Sequence, residues 1–154
     1  MIYDVAVVGA GASGMMAGIC ALRRNRSVVI IDALKVPGKK LKATGNGKCN
    51  YTNRNMDPGL YHGHHRDFIE YVLGRFGNRE CEEFFMDLGV LPVEKNGYVY
   101  PANGSAQYFT ELLFGHLKRE GAVFEPGLTV TKIEKFRDRF YLTTSGKPVE
   151  AKKV

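Results

Sequence analysis

An α/β domain that opens with a strand–helix–strand unit is the fold class this sequence predicts, and three observations carry it. The run "VAVV" at residues 5–8 is apolar and mostly β-branched, as in a strand buried on both faces. Gly9, Gly11 and Gly14 then spell G-x-G-x-x-G where that strand must become a helix. A second apolar run, residues 28–31, ends in Asp32, at the distance expected of an acid that bonds a ribose hydroxyl.

Each part of that unit has a physical role. The first glycine permits a tight turn, the second lets the backbone approach a pyrophosphate, and the third lets helix and strand pack closely. Ala12 and Ser13 complete the turn, and the helix expected over residues 13–24 aims free N–H groups and a positive dipole end at the phosphates. A dinucleotide is the expected ligand. No arginine follows Asp32 directly, which argues for an unphosphorylated ribose.

Composition sets the bounds. The chain has 154 residues, 44% hydrophobic and 25% charged, the size and balance of one globular domain. Its net charge of +6 favours an anionic partner without choosing among nucleic acid, phosphate ligand and membrane surface. Three cysteines, Cys20, Cys49 and Cys81, form no C-x-x-C pair, which suits a reducing cytoplasm rather than a disulfide framework. Residues 5–22 carry no charge, but glycines interrupt the run, Asp4 precedes it and no basic segment leads it. A buried strand and helix are expected there, not a signal peptide or membrane span.

After Asp32 the chain departs from a simple nucleotide-binding repeat. Residues 33–66 read as a long, polar, irregular segment, and loops of that length inside a domain are usually functional. Its centre, "GKKLKATGNGKCNYTN" at residues 38–53, holds four lysines, three asparagines and three glycines. A phosphate-binding P-loop would need glycine at Lys42 and a hydroxyl at Cys49, so that reading fails twice. A redox dithiol would need a second cysteine close in sequence to Cys49, and none is there.

These residues resemble the G-[RK]-K-L-x-x-[TS]-G-x-G-[RK]-C-N-x-[TS]-N signature of the aminoacetone-oxidase-like NAD(P)/FAD-dependent oxidoreductases. "GYVYPANGSAQ", residues 97–107, resembles that family's second signature, and the likeness spans nearly the whole chain. The resemblance implies FAD as cofactor, with the loop lying along it. Lys39 and Lys40 would sit near the ribose and phosphates, and Gly45, Asn46, Gly47, Lys48, Cys49 and Asn50 nearer the isoalloxazine ring. The composition suits contact with a flavin. Glycine amides can point at flavin oxygens, asparagines donate and accept, and Lys48 can stabilise charge on a reduced ring. A solvated basic loop is the plainer alternative, and for Cys49 a small buried thiol is the plainer role.

The rest of the chain reads as scaffold. Asp67-x-x-Glu70 suggests a capping box before a helix carrying Ile69, Val72, Leu73 and Phe76, and Phe84, Phe85 and Leu88 mark a second helix. Asn96-Gly97 is a hairpin signal, and Ser105 suits the cap of a helix with Phe109, Leu112, Leu113 and Leu117 on its apolar face. Four short strands, residues 122–125, 129–135, 140–144 and 149–154, resemble the β-meander of an FAD domain over 122–154. There the residue matching Val130 contacts adenine through its backbone. His62, His64 and His65 lack the companions of a closed metal site, so no metal is expected. No catalytic base stands out.

The expectation is therefore the N-terminal part, residues 1–154, of a cytoplasmic FAD-dependent oxidoreductase with a Rossmann-like cofactor domain. A small-molecule substrate and NAD(P)H as electron partner are expected, with neither membrane nor nucleic acid as partner. The competing readings are an NAD-binding dehydrogenase and a non-catalytic module that binds nucleotide or nucleic acid through its basic surface. In the family it resembles, the last strand runs on into an Ala-Thr-Gly-Gly turn and a substrate domain. The chain alone is thus expected to end before its domain closes, to bind FAD weakly and to be inactive.

Overall fold

In a computed structural model that describes residues 1–154, β1 (Ile2–Val8) and β2 (Val28–Asp32) run parallel, with Val5 opposite Val28 and Val8 opposite Ile31. Parallel neighbours need a crossover, and α1 (Ala12–Leu22) supplies it, burying Met15, Gly18 and Ile19. α5 (Ala106–Arg119) leads into β6 (Val123–Pro126), which pairs in parallel with the outer edge of β2. β7 (Val130–Phe136), β8 (Arg139–Thr144) and β9 (Val149–Lys153) follow as an antiparallel run. β9 then pairs in parallel with β1, giving one mixed sheet in the order β6-β2-β1-β9-β8-β7.

Two expectations are corrected here. The meander has three strands, not four, because β6 belongs to the parallel part of the sheet beside β2. Its partner is chosen by the α5 crossover, a long-range relation that short apolar runs do not encode. The strand buried on both faces is β2, whose Val28, Val29, Ile30 and Ile31 are all at most 1% exposed. Val8, at the end of β1, is 47% exposed because it stands at the sheet's carboxyl edge, where the chain leaves for Gly9.

The two faces of β2 explain its composition. On one face a Cβ at Gly18 would lie 3.0 Å from Leu117 and 3.2 Å from Ile30, so α1, α5 and β2 meet with no room to spare. On the other, Val29 and Ile31 pack with Ala6, Leu142, Val149 and Ala151. Burying a side chain such as Ile30 contributes about 1.5–3 kcal/mol, and truncating it to alanine would cost about 2–5 kcal/mol.

These elements form one unit, residues 1–41 with 110–154; residues 42–109 form a second. In the second, β4 (Pro92–Lys95) and β5 (Tyr98–Pro101) make a hairpin with Lys95 opposite Tyr98. Asn96 and Gly97 turn it with φ of 54° and 85°, the signs a type I′ turn requires. β3 (Thr52–Asn53) adds a short third strand beside β5. Tyr51, Phe85 and Phe109 form an aromatic cluster with centroid separations of 4.7–5.4 Å. α4 (Asn78–Asp87) buries Cys81, Phe84 and Phe85 toward that core.

The helix caps differ in part from expectation. α3 (Arg66–Arg75) starts after His65, so Asp67 and Glu70 lie inside it rather than framing it, and Glu70 pairs with Arg66 at 3.1 Å. Asp67 still favours the positive end of the helix dipole. The carboxylate that does bond a cap residue is Glu80, which accepts the Gly77 N–H at 2.9 Å at the start of α4. Ser105 caps α5 as expected, its hydroxyl accepting the Tyr108 N–H at 3.1 Å. The 33–66 segment is also less irregular than the sequence suggests. It contains α2 (Lys39–Ala43), 3₁₀ turns at Thr44–Gly47 and Pro58–Leu60, and β3. No helix of the chain is long and apolar enough to cross a membrane.

Candidate functional site

The turn between β1 and α1 is built by hydrogen bonds to the end of β2. Gly9, at φ 102°, donates its N–H to Ile31 O at 2.7 Å. Ala10 donates to Asp32 Oδ2 at 2.6 Å, while Asp32 Oδ1 accepts the Leu34 N–H at 2.7 Å. Gly38 then donates to Ala10 O at 2.8 Å, which brings the start of α2 against the same turn.

The three glycines have different roles, and the geometry separates them. A Cβ at Gly14 would lie 1.9 Å from Gly9 O, so that glycine is required by the fold itself. A Cβ at Gly11 would meet nothing within 4 Å. Gly11 is therefore not needed for internal packing, and the space before it is open to a ligand. It is the N-cap of α1 and makes no side-chain cap bond; no acidic residue stands in the first turn to repel an anion. Ala12 and Ser13 are exposed at that helix start. These residues fit a pyrophosphate: free amides, a positive dipole end and room for backbone approach.

The same carboxyl edge of the parallel strands carries the other residues expected at the adenosine end. Leu128 donates its N–H to Asp32 O at 3.0 Å, and Gly127 donates to Leu34 O at 3.3 Å, so the β6–β7 connection is tied to this corner. Val130, half-buried, opens β7 just beyond it. Lys39 and Lys40 are exposed on the first turn of α2. The structure thus gathers Gly9, Gly11, Gly14, Asp32 and Val130 at one edge, where open α/β sheets bind their ligands.

The loop expected beside the isoalloxazine lies in the second unit and has an uncommon backbone. Gly45 (φ 55°, ψ 35°) and Asn46 (φ 55°, ψ 43°) are left-handed, Gly47 has φ 82°, and Cys49 has φ 59°. For the two non-glycine residues this conformation costs about 1–2 kcal/mol each. Lys48 N–H to Gly45 O and Cys49 N–H to Thr44 O, both 3.1 Å, hold the turn. Gly45, Asn46, Gly47 and Lys48 are exposed. Cys49 is fully buried, and burial pushes its thiol pKa up, opposed by a hydrogen bond with Thr44. It is a packed thiol rather than a reactive thiolate. Asn50 anchors the loop by donating both amide hydrogens, to Thr52 O at 2.9 Å and Val99 O at 3.1 Å.

Sequence reasoning missed two features of this unit. Arg54 binds Glu82 with two parallel hydrogen bonds, 3.0 and 2.9 Å, and the Glu82 side chain is only 12% exposed. The pair fastens the chain just after β3 to α4, and no local pattern links two positions so far apart. Tyr51 falls on a variable position of the signature, yet its ring sits in the aromatic core, where burial pushes its pKa up to about 12. His62, His64 and His65 are exposed before α3.

A family model described as the HI0933-like protein Rossmann domain matches residues 3–154. The chain belongs to the HI0933-like Rossmann family. This HI0933-like chain is 36% identical over 152 residues to a 3-dehydro-bile acid delta(4,6)-reductase of Clostridium scindens, covering 97% of the chain and 37% of that protein. It is 29% identical over 152 residues to the ribosomal RNA dihydrouridine synthase of Escherichia coli, covering 99% and 38% respectively. The chain therefore spans well under half the length of these relatives. Among solved structures, it resembles the 3-ketosteroid-delta4-(5alpha)-dehydrogenase of Rhodococcus jostii RHA1 in complex with 4-androstene-3,17-dione, with a TM-score of 0.70. That match has 15% identity over 97% of this chain and 43% of the other, a likeness of fold alone. The match to a Rossmann-domain family agrees with the fold expected from the sequence, and the Clostridium scindens relative is named as a reductase.

Proposed function

We propose that this HI0933-like chain is the cofactor-binding portion of an FAD-dependent oxidoreductase that acts on a carbon–carbon double bond conjugated to a carbonyl. The observation that carries the cofactor is the turn 9–14, braced by Asp32 and open in front of Gly11. The reaction class is supported by the relatives' names. One reduces delta(4,6) bonds of a 3-dehydro-bile acid and the other makes dihydrouridine, so each adds hydrogen across an activated ring double bond.

When bound, FAD supplies a hydride donor or acceptor at N5 of its ring. The chain's own residues hold and orient it. In this reading the amides at the start of α1 and the Ser13 hydroxyl bind the pyrophosphate, with Lys39 and Lys40 adding positive charge. Asp32 keeps one further acceptor position on each oxygen for a ribose hydroxyl. Val130 offers its backbone to adenine. The exposed amides of Gly45, Asn46 and Gly47, with the Lys48 ammonium, meet the polar edge of the ring, while Cys49 and Asn50 hold that loop in shape. NAD(P)H is proposed as the source of electrons. The narrower likeness to aminoacetone-oxidase-like enzymes rests on the 38–53 signature, and the relatives favour double-bond chemistry instead.

The test is an FAD titration of the wild-type chain and of Gly11→Val by quenching of flavin fluorescence. Saturable binding is expected for the wild type and at least tenfold weaker binding for the variant, since a branched side chain fills the phosphate space. Equal affinity in the two proteins would refute the placement.

A further inference from the structure

A cleft of about 340 Å³ is lined wholly by residues between 50 and 61, from β3 and the segments on either side of it. That size suits one or two rings of a small molecule. Its lining is mixed. Met56, Leu60 and Tyr61 are apolar or aromatic, with Leu60 68% and Tyr61 45% exposed. Asn50, Asn53 and Asp57 are polar. No lysine, arginine or histidine lines it, although the chain carries a net charge of +6. A phosphate or carboxylate would find no cation there, and Asp57 would repel it.

The polar side chains are already partly committed, and what remains defines the ligand. Asn50 has spent both amide hydrogens on Thr52 O and Val99 O, so only its Oδ1 is left, to accept. Asn53 Oδ1 accepts the Asn55 N–H at 2.8 Å, which leaves the Nδ2 hydrogens to donate. Asp57 Oδ1 accepts the Gly59 N–H at 2.7 Å, which leaves Oδ2 to accept.

We propose that this cleft binds the reacting ring of the substrate, a neutral ring whose carbonyl is conjugated to a carbon–carbon double bond. The proposal rests on the function proposed above. Asn53 Nδ2 donates to the ring carbonyl, Asn50 Oδ1 accepts from an N–H where the ring carries one, as uracil does, and Tyr61 and Leu60 cover the ring face. Asn50 also closes the 45–50 turn, so the cleft begins on the loop assigned to the flavin ring. A uracil ring and a 4-en-3-one steroid ring share the conjugated carbonyl. Any anionic part of the substrate lies outside the cleft.

The test is saturation-transfer-difference NMR on the full chain without added FAD, using uridine and 4-androstene-3,17-dione as probes. Magnetisation is expected to reach the ring protons of at least one probe, and which one identifies the source of the ring. Asn53→Leu and Leu60→Ser are each expected to weaken that binding roughly tenfold, the loss of one hydrogen bond or one apolar contact. FAD affinity, measured separately, is expected to stay within twofold. Leu60 is so exposed that its serine variant keeps the fold even if the Asn53 variant does not. Binding of neither probe, or binding undiminished in Leu60→Ser, would overturn the proposal. Because FAD binding is read on its own, loss of the cleft would leave the flavoprotein reading standing, and failure to bind FAD would not by itself empty the cleft.

Discussion

Asp32 Oδ2 accepts the Ala10 N–H at 2.6 Å, so the acid that ends β2 holds the glycine turn that ends β1. Its other oxygen accepts the Leu34 N–H at 2.7 Å. The acid therefore braces the glycine turn of residues 9–14 from within the chain itself. Asp32→Ala removes both bonds and the ribose acceptor, and FAD binding is expected to weaken by about 1.5–3 kcal/mol. Asp32→Asn keeps one acceptor oxygen and is expected to fall between. Isothermal titration with FAD checks the order, and an alanine variant equal to wild type would remove Asp32 from the site.

Gly11 and Gly14 make a contrasting pair. Gly14→Ala forces a Cβ to within 1.9 Å of Gly9 O unless the backbone moves, so it is expected to lower the melting temperature clearly. Gly11→Ala meets nothing in the chain, so it is expected to leave melting unchanged while weakening FAD binding. Thermal unfolding followed by circular dichroism, alongside the titration, separates the two effects. Reversed behaviour would mean that the open side of the turn has been misassigned.

Lys48 is exposed on a turn held in a left-handed backbone, which suits contact with a ligand better than packing. Lys48→Met is expected to lower the reduction potential of bound flavin, because a positive charge near the reduced ring is lost. Spectroelectrochemistry of the FAD-loaded protein reads this directly. A variant with unchanged potential and a lower melting point would return the loop to scaffold.

Acid stability follows from Asp4. The Lys152 ammonium at 2.8 Å, then the Ser27 N–H and hydroxyl, hold the Asp4 carboxyl well below its ordinary value of 3.8. A carboxyl depressed in the folded chain adds stability above that ordinary value and loses it as pH falls toward the folded one. Asp4→Asn is accordingly expected to be less stable than wild type at neutral pH and to converge on it below about pH 4. Urea unfolding at pH 7 and pH 3 checks this, and a gap that stays constant would exclude Asp4 as the source.

Much of this was legible in the sequence where the signal is local. The β1–α1–β2 unit follows from an apolar run, three spaced glycines and a terminal acid within 32 residues, and the Asn96-Gly97 turn follows from its two left-handed positions. Relations set by long-range pairing were not. β6 lies beside β2 through the α5 crossover, and Arg54 finds Glu82 across 28 residues, and neither is marked by periodicity. Asp32 was legible as an acid at a strand end, but not as the acceptor of the Ala10 amide, because that bond depends on how the glycine turn folds back. The 50–61 cleft was hidden for the same reason: its chemistry lies in which amide groups the backbone has already used.

The placement of FAD on this turn is probed most directly by a ¹H–¹⁵N correlation spectrum of the chain recorded with increasing FAD, which detects weak as well as tight binding. If the pyrophosphate sits on the α1 N-terminus, the amides of residues 9–14 and of Leu34 shift first and furthest, and Gly11→Val abolishes those shifts. If millimolar FAD leaves these amides unmoved, or moves them equally in Gly11→Val, the assignment of this turn as the FAD site is contradicted.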